Sequence, residues 1–294
     1  MSFRSGFIAI VGPPNVGKST LLNRILGTKV AIVSPKPQTT RNRILGVLHG
    51  EGFQMIFLDT PGIHRPSTSL HRSMVASAQA ALKEVDRVLL MIEMSRPRDP
   101  QMPLVLSSLR RADKPTLLVI NKIDLGPKED LLPILEEYRH LYPFDSLIPV
   151  CALTGEGMDV LLKELRKGLK PGPQFFPEDL TTDQAEPFLI SEIIREKIYF
   201  HLRQEVPYSC AVTVESMEDR PHKDLLFISA LIHVESNSQK GILIGEKGSM
   251  VKDIGRAARV DLEKILGLKV YLELAVRVDK NWSKDPRSLR RLGY

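Results

Sequence analysis

Residues 12–19 have the sequence Gly-Pro-Pro-Asn-Val-Gly-Lys-Ser, and this spacing of glycines, lysine and serine is typical of a phosphate-binding loop. The apolar run 7–11 before it predicts a strand, and the apolar spacing within 18–27 predicts a helix after it. Backbone amides of such a loop, and the positive end of the following helix, attract an anion. Gly12 and Gly17 provide the unusual dihedral angles and the lack of bulk that this close approach requires. The stretch therefore predicts a nucleotide-binding α/β domain.

Within this loop, each polar side chain has an expected role toward the phosphates. Lys18 would contact the β- and γ-phosphates, and the Ser19 hydroxyl would ligate Mg²⁺. Asn15, Val16 and Thr20 are further candidate nucleotide contacts. Asn15 either supports a monovalent cation such as K⁺, which would add to the charge of Lys18, or simply shapes the loop. The sequence leaves these two roles of Asn15 open.

A second polar turn, Asp-Thr-Pro-Gly at 59–62, follows the apolar run 54–58. An acidic residue at the end of a buried strand can hold Mg²⁺ through water, and this role is predicted for Asp59. The Gly62 amide is expected to donate a hydrogen bond to a γ-phosphate oxygen. By itself the turn could be a plain loop, but its position about forty residues after the phosphate loop favours function.

The sequence also predicts which base is bound. The apolar run 117–120 is followed by Asn-Lys-Ile-Asp at 121–124. The Asp124 carboxylate can accept two hydrogen bonds from the ring N–H and the exocyclic amine of guanine, and adenine offers no such pair. Lys122 would lie along the base plane, and Asn121 would connect neighbouring loops. Together these residues predict GTP and GDP as ligands.

The stretch Val-Cys-Ala-Leu at 150–153 takes the place of a last base-binding loop. A backbone amide of such a loop meets the guanine oxygen. Cys151, Ala152 and Leu153 are therefore candidate contacts of the base.

The segment 35–43 is rich in Pro and Thr and has no periodicity, which is typical of a mobile switch. We predict that Thr40, in preference to Thr39, supplies a hydroxyl to Mg²⁺. After the second turn comes Ile63, where signalling GTPases have a glutamine that orients water. An apolar side chain cannot polarise water, so we expect slow intrinsic hydrolysis with water placed by backbone groups. His64 is expected to be solvated and without a catalytic role.

Composition sets limits on the class of protein. The 294 residues leave room for two domains, and a hydrophobic content of 43% argues against disorder. No apolar run approaches the ~18 residues of a membrane span, and the N-terminus shows neither a signal nor a transit peptide. The two cysteines show no metal-binding spacing, which suits the reducing cytoplasm. The net charge of +6 favours a polyanionic partner.

Strands and helices are predicted to alternate up to residue 168. The predicted strands are 7–11, 44–49, 54–58, 86–92, 116–120 and 147–150, and the predicted helices are 18–27, 70–84, 100–111, 129–140 and 158–168. This alternation predicts a three-layer α/β P-loop domain with a mostly parallel sheet. We place this GTP-binding domain at 1–172, because the Pro-rich, polar stretch 173–187 predicts a stiff linker.

Beyond the linker the order of elements changes. The predicted elements are a helix at 188–204, strands at 210–217 and 225–235, a short helical segment at 242–244, a helix ending near 266 and a strand at 270–278. This α-β-β-α-α-β order, with Gly-Glu-Lys-Gly at 245–248 between the later helices, is that of an α+β type II KH domain, placed at 188–280. Such a domain holds about four unstacked bases of single-stranded RNA beside its Gly-x-x-Gly turn.

The distribution of charged residues favours RNA binding at the surface around the Gly-x-x-Gly turn. Residues 171–235 contain 5 Lys and Arg against 12 Asp and Glu, whereas residues 236–294 contain 13 against 7. The candidate RNA-binding residues are Ile242, Ile244, Gly245, Glu246, Lys247, Gly248, Val251, Lys252, Arg256 and Arg259. A basic tail follows at 281–294, where Trp282 either stacks on RNA or packs against the domain.

Taken together, these motifs resemble those of the Era-like GTPases, of the TrmE-Era-EngA type, over essentially the whole chain. The resemblance rests on 12–19, Thr39-Thr40-Arg41, 59–62, 121–124 and the KH domain with 245–248. It implies binding to the single-stranded 3′ end of 16S rRNA, favoured by GTP, and a role in assembly of the 30S ribosomal subunit. It also implies a cytoplasmic location with some peripheral association with the inner membrane face, although the sequence shows no amphipathic anchor.

Two positions of this chain, 151 and 63, bear on the resemblance to that family. Many relatives have Ser at the position of Cys151, so the role of this side chain stays open. The missing glutamine at Ile63 is usual for the family. We expect the protein to be a monomer.

Two functions remain open from the sequence. In one, GTP binding and hydrolysis switch the RNA-binding state. In the other, the protein is an RNA-binding assembly chaperone whose nucleotide site is mainly structural and hydrolyses slowly. A nucleotide kinase would share the phosphate loop but not the guanine-binding residues 121–124.

Overall fold

The computed structural model describes residues 2–220 and 224–294; Met1 and residues 221–223, which the predicted domain ranges include, lie outside the described residues. The chain forms two compact units. The first comprises the chain up to Ala31 together with 40–67 and 71–183, and the second comprises 32–39, 68–70 and the chain from Gln184 onward.

The first unit is built on a twisted, mostly parallel sheet. Its strands are β1 (Arg4–Val11), β2 (Ile44–Gly50), β3 (Phe53–Asp59), β4 (Arg87–Glu93), β5 (Thr116–Asn121), β6 (Ser146–Pro149) and β7 (Lys170–Pro171). The strand order is β2-β3-β1-β4-β5-β6. Within this sheet, as far as the described residues form it, only β2, which pairs with β3, and the short β7, which pairs with β1, are antiparallel.

Helices cover both faces of this sheet. They are α1 (Lys18–Leu26), α2 (Ser69–Glu84), α3 (Met102–Ala112), α4 (Leu131–Leu141) and α5 (Met158–Lys167). In β1, Ala9 and Val11 belong to one hydrophobic core. Ile8 and Ile10 point to the opposite face of the strand and are equally buried. A sheet buried on both faces confirms the predicted three-layer α/β fold.

This topology gathers the predicted nucleotide contacts. The phosphate loop follows β1, the turn 59–62 follows β3, and the stretch 121–124 begins at the end of β5. The carboxyl ends of parallel strands lie at the same edge of a sheet, which is where α/β proteins bind ligands. The fold therefore brings three segments that are far apart in sequence to one site.

The second unit has the predicted α-β-β-α-α-β order. Its elements are α6 (Glu186–His201), β8 (Ala211–Arg220), β9 (Leu225–Val234), α7 (Asn237–Ile244), α8 (Ser249–Leu266), β10 (Lys269–Val278) and a final helix α9 (Pro286–Arg291). The sheet order is β10-β9-β8, with β9 and β10 parallel and β8 and β9 antiparallel. This is a KH fold, and it leaves β10 at an edge of the sheet.

The stretch predicted as a linker, 173–187, differs in part from the prediction. The side-chain oxygen of Gln54 accepts hydrogen bonds from the backbone of Phe175 (2.9 Å) and Phe176 (3.2 Å). The Thr182 hydroxyl donates to the Leu45 carbonyl over 2.7 Å. Residues up to Asp183 therefore pack with the first unit. A stretch with few apolar residues can still fold onto a domain when its backbone groups find partners there.

The C-terminal tail is folded as well. Trp282 is 0% exposed, and its Nε1–H donates to the Ser209 carbonyl over 3.0 Å. Its ring centroid lies 5.7 Å from that of Tyr294. Of the two roles that the sequence left open for Trp282, the structure therefore selects packing within the second unit.

Among the helices of the described residues, none combines the length and the apolar character that crossing a membrane requires.

Candidate functional site

The phosphate loop needs glycine at two positions for reasons of space. Gly12 has a φ of +153°, and a Cβ there would lie 2.3 Å from the Met91 carbonyl oxygen. Gly17 has a φ of +98°, and a Cβ there would lie 2.3 Å from Nδ2 of Asn121. The loop thus packs its backbone directly against β4 and the base-binding segment. No residue with a side chain fits without moving one of them.

Lys18 is buried in this loop, and none of the carboxylates in residues 2–220 and 224–294 bonds to it. Its Nζ donates to the carbonyls of Gly12 (3.3 Å) and Pro13 (2.9 Å). Burial lowers the pKa of Lys18 to about 8, and the nearby charges of Asp59 and Asp99 only partly oppose this effect. A phosphate group would supply the missing negative charge, so the site is suited to an anion.

The residues predicted to hold Mg²⁺ are brought together. Oγ of Ser19 donates to Oδ2 of Asp59 over 2.5 Å and lies 2.9 Å from Oγ1 of Thr40. The other carboxylate oxygen of Asp59 is buried and has no hydrogen-bond partner in the part of the chain that the structure describes. Burial raises the pKa of Asp59 to about 6, and the neighbouring Lys18 opposes this effect. Hard oxygen donors that include one buried carboxylate oxygen without a partner among the described residues fit Mg²⁺.

The structure separates the two threonines of the predicted switch. The Thr39 hydroxyl donates to the Lys36 carbonyl over 2.9 Å and lies 3.1 Å from Oγ of Ser34. Thr40 instead lies beside Ser19. Of the pair, Thr40 is therefore the one whose hydroxyl is available at the Mg²⁺ position.

Asn121 connects the segments around the base site. Its Nδ2 donates to the Val16 carbonyl over 2.8 Å, and its Oδ1 accepts from the Ala152 amide over 3.0 Å. One side chain thereby fixes the phosphate loop relative to both base-binding segments, as the sequence led us to expect.

Cys151 has a specific contact with the predicted guanine-binding carboxylate. Its Sγ–H donates to Oδ1 of Asp124 over 3.0 Å. The thiol is 1% exposed, whereas Asp124 lies at the surface of the site. The thiol thus restrains the rotation of the carboxylate, which is what a serine hydroxyl at this position would do.

Arg24, in α1, was missed by the sequence interpretation. Its Nε donates to the Ala152 carbonyl over 3.0 Å, and its Nη2 donates to the Leu153 carbonyl. Arg24 thereby holds the backbone of the last base-binding loop. No local signal predicts this contact, because the partners are far apart in sequence.

Glu93, at the end of β4, was missed as well. Nζ of Lys122 lies 2.6 Å from its Oε2, and the Ser95 hydroxyl donates to Oε1. Burial raises the pKa of Glu93, but the hydrogen bonds from Lys122 and Ser95 outweigh burial and leave the pKa below its usual value. The ionised carboxylate orients Lys122. A polar residue at the carboxyl end of a buried strand was the available signal.

The turn after β3 differs from the expectation at one residue. A Cβ on Gly62 would lie 2.9 Å from the backbone nitrogen of Pro14, so this turn also needs glycine. Ile63 is 0% exposed and its N–H donates to the Gly12 carbonyl over 3.2 Å. His64 is only 6% exposed, and the expectation of a solvated histidine is wrong. Packing of this turn on the domain core buries both side chains.

In the second unit, the Gly-x-x-Gly turn has an unusual backbone. Gly245 (φ +72°), Lys247 (φ +49°) and Gly248 (φ +79°) all have positive φ. A Cβ on Gly245 would lie 2.7 Å from the Cβ of Met250, whereas a Cβ on Gly248 would meet nothing within 4 Å. The turn therefore leaves open space at Gly248, at the start of α8.

A groove of about 310 Å³ runs along α8 beside this turn. It is lined by Val251, Lys252, Gly255, Arg256 and Arg259 of α8 and by Tyr271, Leu272 and Leu274 of β10. Four of the predicted RNA-binding residues therefore line one groove. Ile242, Ile244, Gly245, Glu246, Lys247 and Gly248 lie in the end of α7 and in the turn.

The β10 side of the groove was missed. At Gly255 the helix α8 approaches β10 closely, because a Cβ there would lie 3.3 Å from Cδ1 of Leu274. Tyr271, which is 56% exposed, adds an aromatic ring at the edge of the sheet. An apolar floor with a basic rim suits unstacked bases and their phosphates.

A phosphate loop and a predicted guanine-binding carboxylate at the same edge of a sheet are typical of the P-loop GTPases. This chain is a GTPase with a C-terminal KH domain. The family of 50S ribosome-binding GTPases matches residues 7–122. The KH domain family matches residues 205–283.

Full-length relatives define the family more narrowly. The chain is 53% identical to the GTPase Era of Syntrophus aciditrophicus over 292 residues, which cover 99% of this chain and 95% of that protein. It is 51% identical to the GTPase Era of Geobacter metallireducens, with 99% and 98% covered. The chain belongs to the Era family of GTPases.

Solved structures of Era are similar to this chain over nearly its whole length. A tyrosine-to-alanine variant of Aquifex aeolicus Era bound to GDP and AlF4⁻ superposes with a TM-score of 0.96, at 43% identity and with 99% of each chain covered. A structure of Era with MgGDPNP and nucleotides 1506–1542 of 16S ribosomal RNA gives the same TM-score, identity and coverage.

Proposed function

We propose that this GTPase acts as a nucleotide-dependent switch that binds the single-stranded 3′ end of 16S rRNA and assists assembly of the 30S ribosomal subunit. The main support is the groove between α8 and the edge strand β10, which has an apolar floor, a basic rim and the glycine turn at one end. The solved Era complex with a 16S rRNA fragment supports the choice of RNA.

In the nucleotide site, the proposed roles follow from the contacts. Lys18 holds the β- and γ-phosphates, and the Gly62 amide donates to the γ-phosphate. Ser19, Thr40 and Asp59 would hold Mg²⁺, which supplies positive charge where charge develops on the transferred phosphate. Asp124 binds the guanine edge. The MgGDPNP complex of the Era structure supports this metal.

We also propose that K⁺ binds near Asn15 and adds to the charge of Lys18. Asn15 has a φ of +66°, a conformation that turns the loop sharply at this point. Turnover is then expected to be faster in potassium than in sodium at equal ionic strength. Equal rates in the two salts would show that Asn15 only shapes the loop.

The apolar side chain of Ile63, at the position of a water-orienting glutamine, favours a second candidate function, in which hydrolysis is slow and the nucleotide site is mainly structural. The protein would then be an RNA-binding assembly chaperone. The two functions differ in whether the nucleotide changes RNA affinity.

Binding of a short single strand matching the 16S rRNA 3′ end tests the proposal. Affinity is measured at fixed salt with GDP and with a non-hydrolysable GTP analogue, against a scrambled strand of the same composition. The switch predicts selective binding that strengthens with the GTP analogue. Selective binding that is equal with both nucleotides supports the chaperone, and equal binding of both strands contradicts the choice of RNA.

Lys18→Ala separates the same two functions in cells. The variant loses the only side-chain cation that the phosphate loop 12–19 provides, so it should not bind GTP. A variant that still binds the RNA normally and restores growth would contradict the switch.

For its location, we propose a monomer in the cytoplasm with a fraction associated peripherally with the inner membrane face. This proposal rests on the family resemblance. Sedimentation of the purified protein and fractionation of cells, with a high-salt wash of the membranes, test the two parts separately.

A further inference from the structure

We propose that His64 is a catalytic residue of GTP hydrolysis, which accepts a hydrogen bond from the attacking water and orients it toward the γ-phosphate. This inference rests on the proposed nucleotide site, because it takes the Gly62 amide as a γ-phosphate contact. His64 would orient the attacking water, which the apolar side chain of Ile63 cannot do.

The hydrogen bonds of His64 decide which ring nitrogen can accept. Nδ1 lies 2.7 Å from the carbonyl oxygen of Gly62. A carbonyl only accepts, so in the tautomer with one ring proton that proton lies on Nδ1. Nε2 then has a free lone pair, which is the group needed to accept a hydrogen bond from water.

Nε2 of His64 is buried and has no hydrogen-bond partner within residues 2–220 and 224–294. The whole residue is 6% exposed, so bulk solvent does not satisfy this atom. An unsatisfied buried acceptor lowers stability, and such atoms are uncommon in folded proteins. Because this atom is closed to solvent, the turn has to open for a water to reach it when the nucleotide binds.

The ring is held close to the predicted γ-phosphate contact. His64 bonds directly to the carbonyl of Gly62, and the next N–H, that of Ile63, donates to Gly12 of the phosphate loop. On another side, the ring packs edge-to-face against His71, with centroids 5.0 Å apart. The bond to Gly62 ties the ring to the turn that carries the predicted γ-phosphate contact.

The role is consistent with the atoms of the reaction. The water oxygen forms a bond to the γ-phosphorus while the bond from phosphorus to the β,γ-bridging oxygen breaks. GDP leaves with that electron pair, and the proton of the water passes to an oxygen of the released phosphate. His64 accepts a hydrogen bond from the water throughout, and it is not consumed.

Three variants test this role by separating binding from chemistry. We expect His64→Ala to bind GDP and GTP within about twofold of the wild type, but to hydrolyse GTP about a hundredfold more slowly in a single turnover. It should also lose most of the affinity for GDP with AlF4⁻, which mimics the transition state. His64→Gln should recover part of both properties, because its amide oxygen accepts a hydrogen bond.

His140→Ala is the matched control, because it removes an exposed imidazole of α4, whose Nε2 lies 3.0 Å from Oε1 of Glu136. It should hydrolyse GTP at close to the wild-type rate, with thermal unfolding measured for all variants. Normal hydrolysis by His64→Ala would overturn the inference, and so would a loss equal to the loss of GTP affinity. Failure of the wild type to bind GTP would instead refute the proposed nucleotide site.

Discussion

Asp124→Asn is expected to lower the affinity for GTP by about a hundredfold or more and to create a preference for xanthosine triphosphate. The wild-type carboxylate can accept two hydrogen bonds from guanine. Hydrogen bonds to a charged group are worth about 1.5–3 kcal/mol each, and 1.4 kcal/mol is about tenfold in affinity. An amide donates where the carboxylate accepted, and the xanthine carbonyl accepts from it. Competition binding with GTP and XTP measures the change.

Substitutions of Cys151 test the same carboxylate with smaller expected effects on GTP affinity. Its thiol restrains the Asp124 carboxylate through one hydrogen bond of 3.0 Å. Cys151→Ser keeps a donor and should leave GTP affinity nearly unchanged. Cys151→Ala removes the donor and should weaken GTP binding by about fivefold, which corresponds to about 1 kcal/mol.

The control for Asp124→Asn is Asp130→Asn, the same substitution at an exposed position in the turn after the base-binding segment. Asp130→Asn should change neither the affinity for GTP nor the affinity for XTP. If Asp124→Asn kept its preference for GTP, the assignment of the guanine contact would be wrong and a nucleotide kinase would again be possible.

The second large effect is expected in the other unit. Gly248→Asp should abolish binding of single-stranded RNA and leave GTP binding intact. The new carboxylate would stand at the turn where a sugar–phosphate backbone is expected to approach, and like charges at close range repel. RNA affinity and GTP affinity are measured on the same preparation.

Gly248 is the better position for this test than Gly245. Its Cβ would meet nothing within 4 Å, so the substitution adds no clash, whereas a Cβ on Gly245 would meet Met250 at 2.7 Å. Gly248→Asn is the matched control, because asparagine has nearly the same size, tolerates positive φ and has no charge. The charge explanation requires the asparagine variant to bind RNA clearly better than the aspartate variant. Equal affinities would place the RNA elsewhere.

Much of the fold and of the nucleotide site could be predicted because the signals are local. Gly12, Gly17 and Lys18 lie within one loop, and the spacing of that loop specifies its chemistry. The order of elements after residue 188 predicted the KH fold in the same way, and the structure confirms it. Such patterns depend on the helix and strand periods of neighbouring residues, which a sequence displays directly.

Other features required the folded chain. Arg24 contacts Ala152 over 128 positions of sequence, and Cys151 contacts Asp124 only because β5 and β6 are neighbours in the sheet. The β10 side of the RNA groove was also missed, because its residues look like an ordinary half-buried strand. None of these contacts leaves a periodic signal.

The sequence by itself determined which ligand this protein binds, because the residues that select phosphate lie in one short segment and those that select guanine lie in another. Tertiary structure alone decided how those groups are supported, and which ring nitrogen of His64 has no partner among the described residues. His64 illustrates the difference: its position beside Ile63 is visible in the sequence, but its burial and its bond to Gly62 arise only when the turn packs on the core. Burial depends on atoms contributed by distant segments, and a linear pattern does not contain them.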